Sequence, residues 1–428
     1  MGIVLACLGG CGDDASGSGG TSDPTAGDPT AGDPTAGDPT AGDPTAGDPT
    51  AGGDPLQACR ELPEAAAAQW VEGTSEPPTG QSTPERMATA GARTWELALD
   101  LLTATDADHS LAASPTSMSL ALGMTERLYT DMECGASIRS RMHYAEEGDA
   151  LHQTLGASLR MLEERSLPAS ADGEDPVIVT LAASIWDLKG TREPEPVYGA
   201  PLHQVTGDLA AIRTVMNCVI EAQSRGLLVD FLPQSIPAPD TTSVDLDVGY
   251  LQAPWSQGLE DRGMQPFTRD DGTVVSLPTM GEDVSAGWYQ DEQLTAVDVP
   301  LRGGALSVLF VLPAAAGDLG AFTASLDSTM LAAVRDSAPS QPVALRMPKV
   351  DIPSETLDYY EPLGFECEIF TLRKVLHGAA VQMDEHGVKA AAATAAESWD
   401  SGAPEFYSAL LDRPFLFFVY DHDTEFVL

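Results

Sequence analysis

Apolar residues in the first half of the chain recur at the spacing typical of helices. Residues 84–104 carry apolar side chains near this period and therefore predict an amphipathic helix. A second helix is predicted to begin at Ser114, since a serine cap is followed there by Pro115 in the first turn. Two further helices are predicted over residues 151–165 and 208–225.

The second half of the chain is richer in strand patterns. Residues 177–186 are rich in β-branched side chains and predict a buried strand. Beyond residue 243, strands are predicted over residues 244–251, 273–280, 294–299, 305–312, 343–350, 373–383 and 414–420. Helices that come first and strands that come later favour an α+β fold over a doubly wound parallel sheet.

Residues 388–397 form a run with almost no bulky side chain. In an extended strand, alternate side chains point to opposite faces, so a segment of this kind can enter a sheet with one face buried. The uncharged face would consist of Val388, Ala390, Ala392, Thr394 and Ala396. The other face would carry both charged residues, Lys389 and Glu397. An Ala-rich helical turn is the alternative, because alanine has the highest helix propensity.

Composition limits the classes of partner. The 428-residue chain is 43% hydrophobic, which is enough for a large core, and its formal net charge is −43. This charge disfavours nucleic acid and anionic membrane surfaces as partners. The sequence contains no apolar run of about 18 residues, so it predicts no membrane-spanning helix.

The N-terminal part of the chain reads as a leader and a linker. Residues 1–11 are apolar, and their last four, Leu-Gly-Gly-Cys, resemble a bacterial lipobox in which Cys11 is lipidated, although the usual basic segment is absent. Residues 23–52 contain six copies of Asp-Pro-Thr-Ala-Gly, which offer nothing apolar to bury. We therefore expect a leader over 1–11, a disordered linker over 12–56 and a folded domain over 57–428.

Motifs for catalysis or metal binding are lacking. The sequence contains no Gly-x-Ser-x-Gly, Gly-Lys-Thr or His-Glu-x-x-His motif, so no enzyme, cofactor or metal site is predicted. Cys59, Cys134, Cys218 and Cys367 permit three disulfide pairings in an exported protein, and buried free thiols are the alternative.

Two C-terminal segments together resemble the serpin family of serine protease inhibitors. Residues 385–395 resemble the hinge of that family, and residues 411–424, which contain Arg-Pro-Phe-Leu-Phe-Phe-Val-Tyr, resemble its C-terminal signature. Weaker similarities follow in the order of the family over residues 113–124, 250–255, 271–280 and 299–313, so that the resemblance spans roughly 85–428. It implies a serpin fold with eight or nine helices, three β-sheets and an exposed reactive-centre loop.

The resemblance implies inhibition by suicide cleavage. A serine protease cuts the loop and becomes acylated, and the freed hinge then inserts into the central sheet before the acyl bond is hydrolysed. A cysteine protease is a second class of target, and a non-inhibitory binding protein is the alternative function. The hinge residues implied are Glu385, Gly387, Val388, Ala390, Ala391, Ala392, Ala393 and Thr394.

The spacing of the family from Glu385 places the reactive bond at Ser401–Gly402. The following segment is about two residues longer than usual, so the range extends to Trp399, Asp400 and Ala403. Trp399 would suit a chymotrypsin-like pocket, Asp400 a caspase-like pocket and Ser401 an elastase-like pocket.

The resemblance also implies a region where the central sheet parts. Ser114, Ser117 and His377 would form its shutter, and Trp255 would lie at the breach above it. The family usually has an asparagine eight residues before this tryptophan, whereas this chain has Asp247. We expect Asp247 to face His377 in a charge-assisted pair and to make opening of the sheet sensitive to pH.

The N-terminal pattern and the resemblance together predict a monomer at the cell surface or outside the cell, which forms a covalent complex with its target protease. Its only membrane contact would be a lipid anchor at Cys11, for example in a bacterial outer membrane. The family pattern continues beyond the position of Leu428, so we expect a shortened C-terminal strand.

Overall fold

The computed structural model of the chain describes residues 4–7, 54–104, 109–171, 173–315, 317, 319–368, 371–388 and 407–428. These residues contain nine helices. The helices are α1 (Gln57–Arg60), α2 (Pro63–Ala67), α3 (Pro84–Thr103), α4 (Pro115–Glu126), α5 (Glu133–Arg141), α6 (Gly148–Glu163), α7 (Leu209–Gln223), α8 (Leu319–Ser325) and α9 (Ser328–Ser337).

The strands of the described residues form three sheets and together with the helices give the predicted α+β architecture. In chain order they are β1 (Val4–Cys7), β2 (Ser110–Ala113), β3 (Ile178–Asp187), β4 (Leu202–Gln204), β5 (Ser243–Pro254), β6 (Glu260–Thr268), β7 (Val274–Gln290), β8 (Leu294–Pro300), β9 (Leu306–Pro313), β10 (Ser340–Pro348), β11 (Val350–Ile352), β12 (Leu357–Asp358), β13 (Leu376–His377), β14 (Val381–Asp384), β15 (Gly387–Val388), β16 (Tyr407–Leu410) and β17 (Leu416–Asp421).

The six-stranded sheet carries the region of functional interest. Its strands lie in the order β11-β14-β15-β5-β3-β4. The two long strands β3 and β5 pair antiparallel from Ile178 opposite Gln252 to Asp187 opposite Ser243. Helix α4 packs behind these strands and is buried on nearly all sides, which suits its mostly small and apolar residues.

The nine-stranded sheet forms the other half of the core. Its order is β16-β10-β7-β8-β9-β17-β1-β2, and β6 pairs with β7. The apolar strand β17 lies in its interior and is buried along its whole length. Residues 4–7 of the predicted leader form β1, which pairs antiparallel with β17 on one side and β2 on the other. No helix in the described part of the chain is long and apolar enough to cross a membrane.

Two disulfides join parts of the chain that are distant in sequence. Cys59 is bonded to Cys218, which ties α1 to α7. Cys134 is bonded to Cys367, which ties α5 to the segment that precedes β13. The structure thus selects one of the three pairings that the sequence left open.

The predicted helices and most predicted strands are present, with boundaries shifted by a few residues. One prediction was wrong in form, because residues 373–383 do not make a single strand. They form β13 and β14 with a break at Gly378, where any side chain would overlap the carbonyl oxygen of Glu355. The two strands belong to different sheets, since β13 pairs with β12 and β14 pairs with β11 and β15.

Candidate functional site

The hinge begins as a two-residue strand inside the six-stranded sheet. Val388 of β15 pairs with Met383 on one side and with Ala253 on the other. Its side chain is only 2% exposed, as expected for the uncharged face of the hinge. Gly387 has a φ of 149°, and a Cβ there would overlap the carbonyl oxygen of Ala253, so glycine is needed at this position.

We call the region between β14 and β5 below β15 the slot. Within the described residues, β14 and β5 are connected only through β15. Strand β5 pairs with β3 over residues 243–252, and its opposite edge is paired to another described strand only at Ala253 and Pro254. Below Ala253, the edge of β5 that faces β14 thus pairs with no strand of the described residues.

Trp255, which was predicted to lie at the breach, is bonded to the turn that precedes β15. Its indole Nε1 donates a hydrogen bond to the carbonyl oxygen of Asp384 at 2.8 Å. Its backbone N–H donates to the carbonyl oxygen of His386 at 3.2 Å, and the N–H of Leu259 donates to that of Glu385 at 3.1 Å. These three bonds hold the turn from which the hinge departs.

A lysine that the sequence analysis did not single out joins the hinge to two other elements. Lys349, between β10 and β11, lies 2.7 Å from Glu385 Oε2 and 2.7 Å from Asp261 Oδ2. The lysine lowers the pKa of Glu385, and the hydrogen bonds that Lys349 donates to both carboxylates raise the pKa of the lysine. Lysine is rare in this acidic chain, with only four examples, and this rarity was the one available signal.

The structure brings together Ser114, Ser117 and His377, the three predicted shutter residues. The backbone N–H of Ser114 donates to His377 Nε2 at 2.7 Å. The Ser114 hydroxyl caps α4 by accepting from the N–H of Ser117 at 3.2 Å. Burial lowers the pKa of His377 to about 4, so the imidazole is neutral and its Nε2 can accept this bond.

The expected pair of Asp247 with His377 is not formed. His377 uses Nε2 for Ser114, and neither carboxylate oxygen of Asp247 has a hydrogen-bond partner among the described residues. The Ser117 hydroxyl is near Asp247 and acts to lower its pKa, but it makes no regular hydrogen bond with the carboxyl group. Burial dominates and raises the pKa of Asp247 to about 7. An unpaired buried carboxyl thus occupies the shutter.

Several predicted site residues lie outside the described residues. They are the lipidation candidate Cys11, the hinge residues Ala390, Ala391, Ala392, Ala393 and Thr394, and the reactive-bond candidates Trp399, Asp400, Ser401, Gly402 and Ala403. Their roles stay predictions.

Comparison with known proteins identifies the fold and the family. The family described as serpin (serine protease inhibitor) matches residues 93–364 and 365–428. Mouse neuroserpin is 22% identical over 393 residues, which are 82% of this chain and 91% of neuroserpin. Iris from Ixodes ricinus is 24% identical over 246 residues, which cover 52% of this chain and 65% of Iris.

Solved structures agree with this assignment. The thermophilic serpin tengpin in its native state matches with a TM-score of 0.68 and 19% identity, covering 83% of this chain and 98% of tengpin. Human thyroxine-binding globulin in complex with its hormone matches with a TM-score of 0.67 and 18% identity, covering 80% of this chain and 97% of that protein. These likenesses and the family match, which spans most of the folded region, lead to one conclusion: the chain belongs to the serpin family.

Proposed function

We propose that this protein inhibits serine endopeptidases by suicide cleavage, and that its loop inserts between β14 and β5 after the cut. The observation that carries the proposal is β15. Two hinge residues already pair with both β14 and β5 at the top of the slot. Insertion would lengthen this existing strand, so the first backbone pairing between the hinge and the sheet is already formed.

The proposed reaction begins with attack by the hydroxyl oxygen of the protease serine on a loop carbonyl carbon. The peptide C–N bond then breaks, and the new amine takes a proton from the histidine of the protease. The protease is left as an ester of the residue before the cut, with Ser401 as our leading candidate. The chain from Val388 to that residue is then fixed only at its N-terminal end and is free to enter the slot.

Insertion provides the driving force. A strand of about ten residues would form backbone hydrogen bonds on both edges, each worth roughly 0.5–1.5 kcal/mol net, so the total is on the order of 10 kcal/mol. The uncharged face of the hinge would be buried with little desolvation cost. The ester-linked protease would be carried along the sheet, and loss of its active-site geometry would prevent hydrolysis.

The composition of the hinge favours the inhibitor over a non-inhibitory binding protein. A loop that never inserts into a sheet does not need small, uncharged side chains at alternate positions. In this chain Val388 is buried in the sheet, and the following residues of the same parity are Ala390, Ala392, Thr394 and Ala396. The fold alone does not separate the two functions, since thyroxine-binding globulin shares it.

The deciding experiment mixes the protein with elastase-, subtilisin- and chymotrypsin-like proteases and with a caspase. We expect a complex that survives SDS with at least one serine protease, and a released C-terminal peptide whose mass places the cut within 399–403. A protease whose catalytic serine is replaced by alanine is the matched control and should give no complex. Cleavage without any complex for every protease, or cleavage only outside 385–413, would reject the inhibitor.

We also propose that the protein is exported and held at the cell surface by a lipid on Cys11. Its two disulfides support export, because such bonds persist in oxidising compartments. Cleavage before Cys11 would remove β1 from the nine-stranded sheet, so the position of the mature N terminus decides whether that sheet contains β1. The mass of the N-terminal peptide of protein purified from its native membrane distinguishes a lipidated Cys11 from an unprocessed Met1.

A further inference from the structure

Residues 57–73, which we call the strap, lie across α7 and the edge of the six-stranded sheet. They precede the region matched by the serpin family, which begins at residue 93. The strap contains α1 and α2, and both helices pack against α7. The strap thus contacts the central sheet and the helix beside it.

The strap is fastened to α7 covalently and through the backbone. Cys59 is fully buried and is bonded to Cys218 in the middle of α7. Just before α7, the N–H of Gly207 donates to the carbonyl oxygen of Ala68 at 3.1 Å, and the N–H of Asp208 donates to that of Ala67 at 3.0 Å. A side chain at Gly207 would overlap the carbonyl oxygen of Ala67, so the close contact depends on glycine.

The strap is also fastened to the outer edge of the sheet. Val71 and Gln204 of β4 exchange two backbone hydrogen bonds of 2.8 and 2.9 Å. The indole N–H of Trp70 and the backbone N–H of Gly73 both donate to Nδ1 of the buried His203, at 3.3 and 3.1 Å. Strand β4 and helix α7 are thus joined to one another through the strap.

Helix α7 and the chain that follows it lie over the slot. The helix packs against β5. The connection from α7 to β5 then reaches the other side of the slot, where the carbonyl oxygen of Phe231 accepts a hydrogen bond from Thr356 Oγ1 at 2.9 Å. The Phe231 ring also lies against Gly378, between β13 and β14. A strand that separates β5 from β14 must displace this connection and the end of α7 that carries it.

We propose that the strap sets the rate of strand insertion by holding α7 in place over the sheet. This inference rests on the proposed function, because it concerns the same slot. The covalent bond to Cys218 and the backbone bonds at Gly207 and Asp208 resist the displacement of α7 that an entering strand requires. The strap therefore slows insertion into the intact protein and protects the uninserted state.

The test measures uptake of a fluorescent peptide with the sequence of residues 388–400 by the intact protein, followed by anisotropy, and requires no protease. Cys59→Ser combined with Cys218→Ser should raise the uptake rate by about tenfold or more, since tenfold corresponds to only about 1.4 kcal/mol in the barrier. The matched control is Cys134→Ser with Cys367→Ser, which removes the disulfide away from α7 and should leave the rate within about twofold of wild type.

A second variant keeps the test decisive if the cysteine variant does not fold. Gly207→Ala retains the disulfide, but its methyl group would overlap the carbonyl oxygen of Ala67 and force the strap away from the start of α7, so it should also accelerate uptake. If wild type takes up the peptide at the same rate as the folded strap variants, the proposed role of the strap is rejected, while the proposed inhibitory function still stands. If the control variant without the Cys134–Cys367 disulfide accelerates uptake equally, loss of either disulfide loosens the whole protein, and the proposed role of the strap is rejected as well. If wild type takes up no peptide at all, the slot accepts no strand and both proposals fail.

Discussion

The carboxyl of Asp247, which has no hydrogen-bond partner among the described residues, leads to a specific prediction about stability and pH. In the native state burial raises its pKa from 3.8 to about 7, so the folded protein holds a proton that the unfolded chain releases near pH 4. A pKa that is higher in the native state stabilises the native state fully when the pH is below the pKa of the unfolded chain. This contribution is lost as the pH rises through the pKa of the native state. The contribution of Asp247 to the stability of wild type should therefore be lost between about pH 4 and pH 7.

The magnitude follows from the pKa change. Each pKa unit corresponds to about 1.36 kcal/mol, so the full loss is roughly 4 kcal/mol, of which about 3 kcal/mol falls between pH 5 and pH 8. Asp247→Asn has nearly the same shape and carries no charge at either pH. The variant should exceed wild type in stability by a margin that increases by about 3 kcal/mol over this interval.

The assay is thermal unfolding of both proteins at pH 5, 6, 7 and 8, at one scan rate. The difference in Tm between Asp247→Asn and wild type should grow from pH 5 to about pH 7 and level off between pH 7 and pH 8. Asp245→Asn is the contrasting control, because Asp245 is paired with the buried Arg192. Its removal should destabilise the protein by about 3–5 kcal/mol, since it leaves a buried charge unpaired. A constant Tm difference for Asp247→Asn across the pH range would refute the argument from burial.

Two further predictions concern the hinge. Lys349→Ala removes the partner of Glu385, so it should speed peptide uptake and lower the stability of the uncut protein by about 1 kcal/mol or less, because the pair is partly exposed. Lys374→Ala, which removes the partner of Asp358 at β12 and β13, is the control and should leave the uptake rate unchanged. Ala392→Glu should convert the inhibitor into a substrate, because a charge on the face of the hinge that becomes buried costs several kcal/mol during insertion. Ala393→Glu, on the opposite face, should have much less effect. Gels that separate the covalent complex from cleaved protein measure both variants, and equal effects would contradict the assignment of the two faces.

Local patterns were sufficient for the main elements. The Ser114 cap, the apolar spacing of residues 84–104 and the β-branched run of residues 177–186 each gave an element of the predicted type. Short elements such as α1 and β4 were missed because four or three residues carry too little periodicity. They form only through tertiary contacts such as the Cys59–Cys218 bond.

The site was predictable only as far as the family resemblance reached. It brought Ser114, Ser117 and His377 together, and their contacts agree with that placement. The pair of Asp247 with His377 was wrong, because the direction of a buried side chain depends on packing that no local pattern records. Lys349 was missed for a similar reason, since its partner Glu385 is distant in sequence and only the fold brings the two together.

The most direct test of the account compares the melting temperature of the intact protein with that of protein nicked once in the loop within residues 399–403. Nicking frees the segment from Val388 onwards to prolong β15 between β14 and β5. The added hydrogen bonds and burial, on the order of 10 kcal/mol, should raise the melting temperature by roughly ten degrees or more. If the nicked and intact proteins melt at the same temperature, the loop does not insert, and the central claim is contradicted.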